Sequence, residues 1–371
     1  MKKVYVLGAG FSKPAGGPLA KEMIPRIFLE FEKFSTPIEV EKKKINYPTF
    51  IGSLRFIEEF LKTAFSGQEC HNYNIEQVLS LLDLALTYGG VSFFTKYGYK
   101  ELNEVEETIL ILLSKILSST NPNQNMGFYS QFVKNLTSDD TIISFNYDLI
   151  IENIISDNLS LNWSSQKGYG IKIDPTPPPG INIDGTNKTF AISTLIKMSN
   201  AKSSVSRNFS QFLLLKMHGS INWHFCKACN KIFIPGDKFA KPVGKTHGNE
   251  YMNMIGCPHC SKNNRLWSLR QLIVPPTYFK GYTIPNLQDV WILAFERLRE
   301  ADEIHFLGYS LSDIDILSYQ LFLYANDLNS DCAIFVKDKD PSSIEKNYRQ
   351  IYGDRIKFIE VDFENHTKEQ Y

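Results

Sequence analysis

Four of the six cysteines in this 371-residue chain form two Cys-x-x-Cys pairs, Cys226/Cys229 and Cys257/Cys260. Each pair can turn two thiolates toward one ion, and four thiolates complete the tetrahedral shell of a structural Zn2+. The intervening stretch, residues 230 to 256, is longer than the usual zinc-ribbon gap of roughly 15 to 20 residues. Two redox or chance pairs are the competing explanation. Cys70 and Cys332 are left over and read as small, buried apolar residues.

The remaining chemistry-bearing residues stand where apolar runs end. Val4 to Leu7 enters Gly8-Ala9-Gly10-Phe11-Ser12, Thr141 to Phe145 enters Asn146-Tyr147-Asp148, Phe212 to Met217 enters His218-Gly219-Ser220, and Glu303 to Leu307 enters Gly308-Tyr309-Ser310. Open α/β sheets bind ligands beyond the carboxyl ends of their strands, so these four junctions are the candidate site. A Gly-x-Gly turn lets the backbone approach a pyrophosphate, with Ser12 and a helix N-terminus supplying donors. Lys13 interrupts the full G-x-G-x-x-G pattern, and no strand-end acid follows about 20 residues on. A plain tight turn accounts for the glycines as well. Asn146 and Asp148 read equally as a helix cap and its neighbour, His218 as a satisfied core histidine, and Gly308-Tyr309-Ser310 as a turn.

These junctions need a scaffold, and the hydrophobic pattern supplies one. Strands at Val4–Leu7, Thr141–Phe145, Phe212–Met217, Glu303–Leu307, Cys332–Val336 and Ile356–Val361 alternate with helices near Leu149–Ile155, Ser312–Tyr324 and Ser342–Tyr352. Leu287, Val290, Trp291, Ala294, Phe295 and Leu298 mark one further core-facing helix. Alternation of this kind predicts an α/β protein with a doubly wound parallel sheet. Pro18 to Leu136 is mainly helical, with Ile75, Val78, Leu79, Leu82 and Leu86 on one face and Leu102, Val105, Ile109, Leu112 and Ile116 on another. The expected organisation is a Rossmann-like catalytic domain from residues 1–17 and 137–371, a helical insertion over 18–136, and a zinc-ribbon-like module over 224–262. Pro175 to Gly180 predicts an exposed, partly extended loop, with flexibility reaching about Arg207.

Composition excludes several classes. Hydrophobic residues make up 43% and aromatics 13%, too many for a disordered chain. Forty basic against forty acidic residues leave no global field for nucleic acid or an anionic membrane, so direct nucleic-acid binding is not indicated. Ile109 to Leu117 is the most apolar stretch, and it is far shorter than the roughly 20 residues that span a bilayer. The N-terminal apolar run is one strand long and enters a glycine motif rather than a cleavage site, so a cytoplasmic protein is expected.

Taken in order, the motifs resemble the sirtuin family. The likeness lies in Gly8 to Gly17 (GAGFSKPAGG), Ser144 to Asp148 (SFNYD), His218 to Cys229 (HGSINWHFCKAC), Cys257 to Cys260 and Gly308 to Asp313 (GYSLSD). The wording is most similar to bacterial sirtuin-like proteins of antiphage defence, which hydrolyse NAD+ and deplete the host cell. The resemblance implies a sirtuin-type fold, NAD+ as substrate and a structural zinc on the four cysteines. It also implies that Gly8, Ala9, Gly10, Phe11 and Ser12 hold the diphosphate and nearby ribose, and that Gly308 and Ser310 close the adenosine side. By the same resemblance Asn146 positions the ribose or a water, Asp148 binds the nicotinamide amide, and His218 is the base. Deacylating sirtuins carry a Phe-Arg element after the glycine segment, where this chain reads Leu19-Ala20-Lys21. The implied activity is therefore NAD+ glycohydrolysis, with NAD-dependent protein deacylation or non-catalytic NAD+ or ADP-ribose sensing as the alternatives. The implied partners are a second copy in a homo-oligomer and a separately encoded ATPase or nucleic-acid-sensing subunit.

Overall fold

The computed structural model describes residues 1–35, 57–63, 73–87, 97–156, 158–165, 167–174, 212–226, 228–234, 257, 259–260, 270–274, 285–312 and 315–363. Expectations for Pro175–Arg207, Cys70 and Asp313 fall outside these residues.

Short apolar runs form the strands β1 (Lys3–Leu7), β2 (Thr141–Ser144), β4 (Leu213–Lys216), β8 (Glu303–Leu307), β9 (Ala333–Asp338) and β10 (Ile356–Glu360). All six pair in parallel, in the order β10-β9-β8-β1-β2-β4. Counted by their occurrence within this sheet, that is the 3-2-1-4-5-6 order of a doubly wound Rossmann arrangement, whose direction of winding reverses between β1 and β8. Successive residues of a strand face opposite sides, and here both sides are covered. On one side Tyr5 and His305 stack, and Tyr5 meets Phe132 edge-on. On the other, Phe306 packs against Phe322 and Tyr348. Those partners belong to α6 (Met126–Lys134), α9 (Ile316–Leu328) and α10 (Pro341–Tyr352). Burial on both faces is why the central β1, β2 and β4 read as nearly continuous apolar runs rather than as alternating ones.

A second sheet, β3-β6-β5-β7, is built from β3 (Ile173–Asp174), β5 (Gly219–Cys226), β6 (Lys231–Phe233) and β7 (Arg270–Ile273). β5, between His218 and the first cysteine, is not among the expected strands. Its signal is the alternation of Ile221, Trp223 and Phe225 with polar neighbours, although all eight β5 residues are buried. Helices α2 (Ala20–Ser35), α3 (57–63), α4 (Ile75–Thr87) and α5 (Tyr99–Ser118) share a separate core. That core includes Ile24, Phe60, Val78, Leu82, Val105 and Ile109, and it closes on Tyr147, Leu149, Ile221 and Ile273 from the sheet side. Among the described residues no helix is long and apolar enough to cross a membrane.

Candidate active site and cysteine cluster

Register brings the four strand ends level. Leu7 pairs with Ser144 and Leu307, and Ser144 pairs with Lys216. Parallel strands place all four carboxyl ends on one edge, so the motifs that follow them converge although up to 300 residues separate them.

The glycines let two turns touch. Gly8 and Gly10 donate backbone N–H groups to the carbonyls of Leu307 (3.1 Å) and Gly308 (2.9 Å). A Cβ on Gly308 would lie 2.6 Å from Gly10 backbone atoms, and Gly308 sits at φ +57°, where side chains are strained. Gly308→Ala is therefore expected to destabilise the protein by about 2 to 4 kcal/mol, from left-handed strain plus overpacking. Scanning calorimetry checks this, and an unchanged melting temperature would mean that the two turns do not press together. In the same loop Leu311 also adopts a positive φ of 51°. It is held there by hydrogen bonds from Asn347 Nδ2 to its carbonyl and from the Tyr348 hydroxyl to the Tyr309 carbonyl. A bulky residue held in this region marks a loop fixed by its surroundings.

Behind the glycine turn, helix α1 (Ala9–Ser12) presents Ser12 to the end of β2. Asn146 Nδ2 donates to the Gly8 carbonyl (2.8 Å) and to Ser12 Oγ (2.9 Å), and Ser12 Oγ donates to Asp148 Oδ2 (2.7 Å). The other Asp148 oxygen accepts the N–H of Ile150 (3.0 Å), at the start of α7 (Ile150–Ile155). Asp148 thus accepts the first backbone N–H of α7 and, through Ser12, is linked in a polar chain to Asn146.

His218 follows β4 directly, and its carbonyl accepts the N–H of Val274 (2.8 Å). Its ring is buried, 5.2 Å edge-on from Phe145 and near Tyr147 and Trp291, with Nε2 3.1 Å from Asp315 Oδ2. Phe145 in turn stacks on Tyr309 at 4.4 Å, which links the histidine to the Gly308 turn. Ser310 is exposed at the far side of that turn.

Three further participants lie outside the strand-end motifs. Lys216, wholly buried at the end of β4, donates to the Asp148 carbonyl (2.6 Å) and pairs with buried Glu152 (3.3 Å). Burial pushes the Glu152 carboxyl above the ordinary range, and Lys216 offsets part of that rise. A lone lysine inside Leu-Leu-Leu-Lys-Met and a lone glutamate inside Ile-Ile-Glu-Asn-Ile-Ile were the available signals, since such charges are retained in a core only when paired. Asp315 is the third. The expected helix start near Ser312 is displaced to Ile316 because the Asp315 carboxylate caps the backbone N–H of Ser318 (3.2 Å).

Away from this edge, the sulfur atoms of Cys226, Cys229, Cys257 and Cys260 all lie within 4.8 Å of one another. Cys226 is 3.8 Å from Cys260, and Cys229 is 3.7 Å from Cys257. A tetrahedral zinc with bonds of about 2.3 Å requires sulfur–sulfur edges of roughly 3.8 Å, so the set fits Zn2+ and is too open for a disulfide. Four thiolates would fill the coordination sphere of a bound zinc, whose role would be structural with no position left for substrate.

No protein-family model and no curated protein matches the chain. Among solved structures it is similar to a triple mutant of a Sir2 homologue in complex with 2′-O-acetyl ADP ribose, at 14% identity and a TM-score of 0.41, covering 92% of this chain and 83% of that one. It is also similar to a sirtuin solved to explain substrate affinity, at 14% identity and a TM-score of 0.37, covering 98% and 89%. A third is a Sir2–p53 peptide–NAD+ complex, at 13% identity and a TM-score of 0.34, covering 98% and 88%.

Proposed function

We propose that the chain is an NAD+ glycohydrolase that cleaves NAD+ to nicotinamide and ADP-ribose at the carboxyl edge of its parallel sheet. The observation that carries this reading is the convergence of Ser12, Asn146, Asp148 and His218 beside the touching Gly10 and Gly308 turns, at the point where the sheet reverses its winding. In this reading the dinucleotide lies along that edge, with its diphosphate and nearby ribose at Gly8 to Ser12 and its adenosine toward Gly308 and Ser310. Asp148 receives the carboxamide of nicotinamide, and Asn146 places a water against the anomeric carbon. The carbon–nitrogen bond breaks with its electron pair moving to the pyridinium, so nicotinamide leaves neutral. Water adds to the oxocarbenium-like centre, and His218 takes the proton that the water gives up. The sirtuin-like motif order supports this assignment of roles. The same reading sets the activity in antiphage NAD+ depletion, restrained by homo-oligomeric assembly or by a separate ATPase or nucleic-acid-sensing subunit.

Incubating the purified protein with NAD+, with and without an acetylated peptide, tests the reading. Nicotinamide and ADP-ribose are expected as products without peptide. Consumption only with peptide, yielding an O-acyl-ADP-ribose, would replace the hydrolase by a deacylase. Tight binding without turnover would make the chain a sensor.

A further inference from the structure

Among the described residues, one neighbour of His218 has a chemistry that constrains its ring. Asp315 presents Oδ2 to His218 Nε2 at 3.1 Å, and the two residues are 2% and 3% exposed, respectively. The carboxylate is itself fixed: Ser318 donates its backbone N–H to Oδ1 (3.2 Å) and its hydroxyl to Oδ2 (2.5 Å). An ionised carboxylate only accepts hydrogen bonds, so the ring nitrogen that faces it must carry a proton. In the neutral ring that leaves Nδ1 as the basic nitrogen. When the ring takes a second proton, the buried carboxylate is in place to stabilise the imidazolium.

We propose that Asp315 is the positioning residue for His218, holding its ring in the Nε2–H tautomer and supporting the charge it acquires. The proton-transfer part of this inference rests on the NAD+-cleavage reading, whereas the tautomer does not. Among the described residues, the other ionisable groups around the ring are already engaged or stay neutral. Tyr147, beside the ring, and Tyr309, stacked on Phe145, are phenols that burial first, and then the charges of Asp315 and Glu76, push well above their ordinary range, so both stay neutral. Glu76, at the start of α4, accepts the hydroxyl of Ser312 (3.2 Å). Lys216, on the strand before the histidine, is directed to the Asp148 carbonyl and Glu152.

The experiment pairs kinetics with nitrogen-15 NMR of histidine-labelled full-length protein, the His218 signal being identified by its loss in His218→Gln. Wild-type protein is expected to show the Nε2–H tautomer at His218. In Asp315→Asn the side-chain amide can donate to the ring, so the tautomer should switch to Nδ1–H. With NAD+ as substrate, the turnover number of Asp315→Asn should fall about 10²- to 10⁴-fold with KM changed less than threefold, and the acid limb of its pH profile should move. Asp315→Glu should recover most of the rate. A wild-type Nδ1–H tautomer overturns the proposal and needs no variant to be seen. So does a folded Asp315→Asn protein with wild-type turnover and pH profile. A tautomer that switches as expected in a protein that never cleaves NAD+ supports the pair and defeats the hydrolase reading instead.

Discussion

Cys226→Ser is expected to release the zinc and unfold the lobe that carries the four cysteines, at a cost on the order of 10 kcal/mol, the scale of metal-coupled folding in small zinc modules. Cys226 ends β5, and the chain turns back through Asn230 at φ 53° into β6, where three residue pairs join the two strands. Among the described residues the local apolar cluster consists of Cys226, Phe233 and Cys257, flanked by Cys229 and Cys260. The ion would tie the two cysteine pairs together, so its loss should release this lobe. The main sheet has its own large core and should persist, so circular dichroism should show partial loss of structure while limited proteolysis cuts first between β5 and β7. Elemental analysis should find one zinc per chain in freshly purified protein. Clearly less than one would remove the metal from this account.

The second large effect concerns turnover. His218→Ala and Asn146→Ala should each lower NAD+ cleavage by about 10²- to 10⁴-fold, the usual cost of losing a general base or a group that places the nucleophile. The two changes differ in their structural side effects. Removing Asn146 frees the Gly8 carbonyl and Ser12 hydroxyl at a half-buried position, where water can replace the amide. Removing His218 leaves Asp315 buried without its ring partner, a penalty of roughly 1 to 3 kcal/mol. His218→Gln, which can still face the carboxylate, separates the two effects: lost turnover with a near-normal melting temperature assigns the rate loss to the base. Wild-type turnover in folded His218→Ala would show that this histidine plays no part in the reaction.

Much of this site was legible because its residues sit at boundaries that local chemistry marks. An apolar run that ends at Gly-Ala-Gly, Asn-Tyr-Asp, His-Gly or Gly-Tyr-Ser announces both a strand and what lies beyond it, and alternation of such runs with helical periods implies parallel strands. The paired cysteines are equally local, since two residues between ligands suffice to turn both sulfurs toward one ion. Strand ends and helix starts shifted by a few residues, as at Asp315, where a side-chain cap rather than hydrophobic periodicity set the boundary.

The sequence by itself thus determined the α/β alternation, the strand-end motifs and the metal-binding set, all of which follow from contacts within a few residues. Tertiary structure alone decided which strand lies beside which, and therefore that β1 and β8 are neighbours whose glycine turns touch. It also decided that Lys216 reaches the Asp148 carbonyl, and that Asp315, distant in sequence, faces the imidazole. Such pairings join positions tens to hundreds of residues apart, and no periodicity encodes them. They arise because a buried charge must find its partner wherever packing brings one within reach.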